Sequence, residues 1–123
     1  MLYTLQGDPL FPPGGYQVSD AGKKLIGRVA SQLAATQTQY VVVVGYTDNT
    51  PIGPGLARQG ITSNQILSQK RAEAVMQAAI EQGVKPDLLS AEGQGDANPV
   101  ASNNTPAGRA KNRRVELRAA PPS

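Results

Sequence analysis

The stretch Tyr40-Val41-Val42-Val43-Val44 constrains the fold of this chain more than any other. Four successive β-branched side chains restrict χ1 in a helix but suit a strand, where they alternate between the two faces. A strand that is apolar on both faces needs cover on both, so it belongs in the interior of a sheet. Polar residues bound this run, and no apolar run in the chain is long enough to span a bilayer.

Helical periodicity flanks the strand. Ser19 is placed to cap a helix over about residues 20–35, with Leu25, Ile26, Val29, Ala30 and Leu33 on one side. A second helix follows a capping box formed by Thr62 and Gln65. It is lined by Ile66, Leu67, Ala74, Val75 and Ala78, and it ends at Gly83 with Pro86 just beyond. Leu2–Leu5 reads as a short first strand, Leu88–Glu92 as a third, and Arg114–Arg118, with Val115 and Leu117 alternating with polar residues, as a half-buried last one. Thr105-Pro106 has the form of an N-cap followed by proline at the first helical position, with room for a short third helix to about Lys111. The expected fold is therefore α/β: a two-layer βαβαββ sandwich. A four-stranded mixed sheet carries two main helices on one face, joined by right-handed crossovers.

Composition narrows the chemistry. At 123 residues, of which 39% are hydrophobic with one Phe and no Trp, the chain makes one domain with an aliphatic core. It holds no Cys and no His, which removes disulfides, thiolate nucleophiles, Cys/His zinc sites and histidine-based serine triads. Its nine acids are scattered singly, a poor basis for a carboxylate metal site, so neither metal nor cofactor is expected. Met1–Gly7 lacks the basic and apolar regions of a signal peptide. A role outside the cytoplasm then implies a targeting or membrane segment upstream.

Net charge is +3. Residues 1–108 are nearly balanced, whereas Arg109, Lys111, Arg113, Arg114 and Arg118 face only Glu116 in the remainder. Such a basic end points to an anionic partner or to a solvated surface. None of the five aromatics lies near it in sequence, which argues against stacking on nucleic acid.

One charge is out of place. Leu67, Arg71 and Val75 are four residues apart, so their side chains fall within about 80° of one another around the helix. Arg71 thus interrupts an apolar stripe, where a guanidinium must reach water or an acid. Asp48 stands just past the carboxyl end of the Val41–Val44 strand, the edge at which open α/β sheets bind ligands. Two arrangements satisfy both groups. They form a plain ion pair, or they stand apart and grip the opposite charges of a zwitterion, arginine on its carboxylate and Asp48 on its ammonium.

These residues carry a wider pattern. Gly45-Tyr46-Thr47-Asp48-Asn49, then Asn64-Gln65-Ile66-Leu67-Ser68-Gln69-Lys70-Arg71-Ala72, then Gly93-Gln94-Gly95, Asn98-Pro99-Val100-Ala101, Asn103, Thr105, Gly108-Arg109-Ala110 and Asn112-Arg113-Arg114-Val115-Glu116 follow in order. Together they resemble the signature of the OmpA-like (OmpA/Pal/MotB) peptidoglycan-binding family, over about residues 8–118 of a single 1–123 domain. The resemblance implies a non-catalytic anchor excised from a longer envelope protein. It binds the diaminopimelate residue of peptidoglycan stem peptides in the Gram-negative periplasm.

Carried over by position, the family's acidic contact falls on Asp48 and its arginine contact on Arg71. Thr47, Asn49, Asn64, Leu67 and Arg113 fall on positions that shape the same pocket. Tyr46 stands where the family usually has histidine. The segment Thr50–Ile61 is longer than in compact members and is similar to that of flagellar stator and type VI secretion anchors; it either gates the pocket, contacts a partner or is a plain surface loop. Under the resemblance the basic end belongs to the fold signature, which leaves no nucleic-acid partner. Peptidoglycan is the expected partner, a homodimer or envelope complex is compatible with it, and protein–protein assembly with little wall binding is the alternative. Gly93-Gln94-Gly95 lacks the spacing of a dinucleotide loop and reads as a turn. Glu92 and Asp96 read as surface acids, and Ser68 as a hydroxyl bonded within its helix.

Overall fold

The computed structural model of the chain describes residues 3–12, 15–36 and 40–120. Four strands, β1 (Tyr3–Gln6), β2 (Tyr40–Tyr46), β3 (Leu89–Gly93) and β4 (Arg114–Ala120), form one sheet in the order β1-β4-β2-β3. β4 runs antiparallel to β1 and to β2, while β2 and β3 are parallel, so the sheet is mixed as expected. Leu2 of the expected first strand lies outside the described residues. The two main helices are α2 (Asp20–Thr36) and α4 (Asn64–Glu81), and α4 supplies the crossover between β2 and β3. Short helices add α1 (Gly7–Leu10), α3 (Pro54–Arg58) and α5 (Pro106–Asn112), with a 3-10 turn at Pro86–Leu88.

The valine run is an interior strand. Val41 and Val43 are fully buried and join Ile26, Ala30 and Leu33 of α2, Ala72, Val75 and Ala79 of α4, and Val115 and Leu117 of β4 in one aliphatic core. On the opposite face Val44 and Tyr46 are also buried, and Val42 is half-buried.

β4 differs from the half-buried strand its alternation suggests. It lies between β1 and β2, and its polar residues Arg114 and Glu116 are each 3% exposed. They cover themselves. Arg114 Nε bonds Glu116 at 2.7 Å and its guanidinium stacks 3.8 Å from the Tyr46 ring, while Arg118 closes on the other carboxylate oxygen. Both arginines draw the Glu116 pKa down against the opposing effect of burial, the largest single influence on it.

The helix ends follow capping chemistry with one correction. The cap of α4 is Ser63, whose hydroxyl accepts from Ile66 N at 3.1 Å, not Thr62. Adjacent hydroxyls leave this choice open by one residue, and Gln65 is drawn off to donate to the Gly93 carbonyl. Gly83 adopts φ +107° just past the helix, as a C′ glycine does. Thr105 caps α5 through Gly108 N, as expected.

Close backbone approach fixes α4 against the sheet. Gly45 and Gly93 are cross-strand partners beneath its first turns. A Cβ at Gly45 would lie 2.3 Å from the Ser68 carbonyl oxygen, and one at Gly93 2.4 Å from Gln69 N. Ser68 is fully buried: its hydroxyl donates to Gln65 O and also accepts from Gly95 N, which ties the turn after β3 to the helix.

Candidate ligand-binding site

Asp48 leaves β2 in a fixed orientation. Thr47 N donates to Gly95 O at 2.7 Å, the Thr47 hydroxyl donates to the Asp48 carbonyl, and Asp48 Oδ1 accepts from Thr50 N at 2.9 Å in a local turn. Its other oxygen, Oδ2, accepts from Arg113 Nη1 at 2.6 Å. Arg113 follows α5 and precedes β4, and it also grips Asp8 with two parallel bonds, Nε to Oδ1 at 2.8 Å and Nη2 to Oδ2 at 3.0 Å. Gly7 makes this pairing possible: its N–H bonds Arg113 O at 2.7 Å, and a Cβ there would lie 2.8 Å from that oxygen.

Arg71 stands apart from this network. It is 8% exposed and forms no ion pair among the described residues. Its Nε donates to Gly15 O at 2.9 Å, and the guanidinium lies 5.3 Å from the centroid of Phe11, the chain's one phenylalanine. The plain Asp48–Arg71 pair is therefore not formed; Asp48 takes Arg113 as its partner.

The electrostatics follow from this division. Burial, and then the nearby Arg113 charge, lower the Arg71 pKa, and Asp48 and Asp8 only partly offset them. Burial acts to raise the Asp48 pKa, but the Thr50 and Arg113 hydrogen bonds outweigh it and hold the carboxyl below its ordinary value. The Arg113 hydrogen bonds lower Asp8 likewise, while the same contacts, with Asp8 foremost, raise Arg113. The site thus holds two carboxylates and two guanidiniums. One guanidinium is spent on both acids and the other is held by a carbonyl and an aromatic face.

All of these groups open into one cavity of about 860 Å³. Of the expected site residues, Thr47, Asp48, Asn64, Leu67, Arg71 and Arg113 line it, and Asn64 also holds the following loop by donating to Thr50 O at 3.1 Å. Asn49 does not line it. Its side chain is exposed, because the Asp48 turn carries it to the outside. Asp8, Phe11, Ile52, Leu56 and Gln59 line the cavity without having been singled out in the sequence. For Phe11 a signal existed, a lone aromatic beside a turn-rich stretch; Asp8 had none, standing 105 residues from its partner. The segment after Thr50 is not a plain loop, since α3 occupies its middle. No group of acids that could hold a metal ion occurs among the described residues, and no described helix is long and apolar enough to cross a membrane.

A mixed sheet backed by two main helices, with an acid at a strand end and an arginine on the following main helix opening to one cleft, defines a class. The chain belongs to the OmpA family, whose model matches residues 10–113. It is 41% identical over 117 residues to the peptidoglycan-binding protein ArfA of Mycobacterium tuberculosis, covering 94% of this chain and 33% of that protein. Among solved structures, the cell wall anchor of the type VI secretion system from Pseudomonas aeruginosa superposes with a TM-score of 0.83 at 37% identity, over 93% of this chain and 76% of that one. The periplasmic domain of Helicobacter pylori MotB gives 0.84 at 28% identity, over 98% and 73%. The chain spans about a quarter to a half of the length of the curated relatives it matches.

Proposed function

We propose that this domain binds peptidoglycan without making or breaking a bond, holding the diaminopimelate residue of a stem peptide and so anchoring an envelope protein to the wall from the periplasmic side. The observation that carries the reading is Arg71: a buried guanidinium with no carboxylate partner among the described residues, sharing a cleft with Asp48. Diaminopimelate ends in an ammonium and a carboxylate on one carbon. The carboxylate completes the hydrogen bonding of Arg71, and the ammonium joins Arg113 on the oxygens of Asp48. The names of ArfA and of the Pseudomonas anchor support the same reading. A binding module also fits a chain without His or Cys better than an enzyme does.

The test is co-sedimentation with purified sacculi. Truncating one partner of a desolvated charged contact costs about 2–5 kcal/mol, so Arg71→Ala and Asp48→Ala each abolish most sedimentation while the fold persists. Full sedimentation of both variants refutes the assignment, and release of soluble muropeptides by the wild type would make the domain an enzyme.

A further inference from the structure

The two charges line a cavity far larger than an amino-acid head group. Its apolar lining is Phe11, Pro12, Pro51, Ile52, Leu56 and Leu67. Three of these come from the segment between Asp48 and α4, which has an unusual construction. α3 buries none of its residues, and neither Ile52 nor Leu56 belongs to the aliphatic core. The segment is instead held at its ends and rim: Ile61 is 2% exposed, its N–H bonds Leu56 O, Asn64 bonds Thr50 O, and Tyr16 bonds the Gln59 side chain. The apolar side chains of a tethered element are thus left facing the cavity.

We infer that Ile52 and Leu56 form a second subsite, which takes the small aliphatic side chain of a residue flanking the zwitterionic one on the same peptide. This rests on the stem-peptide reading above. The occupant follows from continuity, because a peptide held by Arg71 and Asp48 in this cavity must run along the adjoining wall. Its chemistry follows from the wall, which offers a charged flank no partner and an alanine-like methyl group an apolar contact.

The experiment compares two probes by calorimetry: free meso-diaminopimelate and the tripeptide in which alanine flanks diaminopimelate on both sides. A methyl-sized apolar contact is worth about tenfold or more in discrimination, so the wild type should bind the tripeptide at least about tenfold more tightly than the free amino acid. Ile52→Ser with Leu56→Ser should erase most of that gain while changing affinity for free diaminopimelate by less than about twofold. The fold should tolerate both changes because Ile52 and Leu56 are only half-buried and lie outside the aliphatic core; should the double variant melt early, Leu56→Ala is measured instead, with loss of tripeptide affinity expected alone. Equal affinity of the wild type for the two probes, or an unchanged gain in the variants, overturns the subsite and leaves the stem-peptide reading standing. A wild type that binds neither probe refutes that reading and the subsite with it.

Discussion

Replacing Gly45 by alanine tests whether the close seating of α4 on the sheet sets the geometry of the site. The added Cβ would lie 2.3 Å from the Ser68 carbonyl oxygen, whereas ordinary contact begins near 3.4 Å. The obstacle is helix backbone and cannot rotate away, so α4 must retreat by about 1 Å. Overpacking of this kind costs about 1–3 kcal/mol. For a domain of this size each kcal/mol lowers the melting temperature by roughly 3–6 °C, so a drop of about 3–18 °C is expected.

The same retreat acts on function. Gly45 lies three residues before Asp48, and Ser68 three before Arg71, so the displaced backbone carries the two charges apart. A site that must hold its ligand to within about 0.5 Å then loses roughly tenfold or more in affinity. Thermal unfolding by circular dichroism and calorimetric titration with a diaminopimelate peptide measure the two effects. Gly27→Ala serves as control, since its Cβ finds only ordinary contact, 3.6 Å from the Gln82 side chain. A helical Gly→Ala change there should stabilise by about 0.5–1 kcal/mol. A Gly45→Ala protein that melts within a degree or so of wild type and binds equally well refutes the claim that glycine is needed for this approach.

Acid titration should spare the protein until low pH. Asp8, Asp48 and Glu116 all have folded pKa values held below their ordinary values of 3.8, 3.8 and 4.5. Such groups contribute stability that is complete above the unfolded values and is lost as pH falls through the lower folded ones. Urea unfolding should therefore give a flat stability from pH 7 to about 5 and a decline below about 4; a decline beginning near pH 6 would contradict this. Glu116→Leu leaves Arg114 buried without its acid and should cost about 3–5 kcal/mol, and adding Arg114→Met should recover part of the loss; strictly additive costs in this double-mutant cycle would count against the coupling. Asn112 is fully buried and accepts from Val100 N and Ala101 N while donating to Ala101 O and Asn103 Oδ1. Asn112→Leu should expose amides around 100–103 to fast hydrogen exchange and cost at least about 1–3 kcal/mol, with unchanged exchange as the opposing result.

What the sequence disclosed and what it hid divide along physical lines. The interior strand was legible because four β-branched residues admit few other fates, and α2 and α4 because their apolar periods are long. Arg71 stood out because a charge within an apolar stripe conflicts with its surroundings. Asp48 stood out by its place at a strand end. Pairings made by tertiary structure left no local trace. Arg113 reaches Asp8 across 105 positions, and nothing in either neighbourhood marks the contact. The polar residues of β4 read as a solvent face because alternation cannot distinguish water from an ion pair that covers itself. α3 was masked by Pro51, Gly53, Pro54 and Gly55, which advertise a turn even where one of the prolines begins a helix. Asn49 matched a motif position, yet the turn at Asp48 directs it away from the cavity.

The central claim, that Arg71 and Asp48 hold the two charges of one zwitterionic residue, is tested most directly by calorimetry with a diaminopimelate stem peptide. The wild type, Asp48→Ala and Arg71→Ala are titrated both with this peptide and with a matched peptide carrying lysine, which keeps the side-chain ammonium but lacks the carboxylate beside it. The wild type should prefer the diaminopimelate peptide, Arg71→Ala should abolish that preference, and Asp48→Ala should weaken binding of both. An Arg71→Ala protein that still discriminates between the two peptides as the wild type does would contradict the claim.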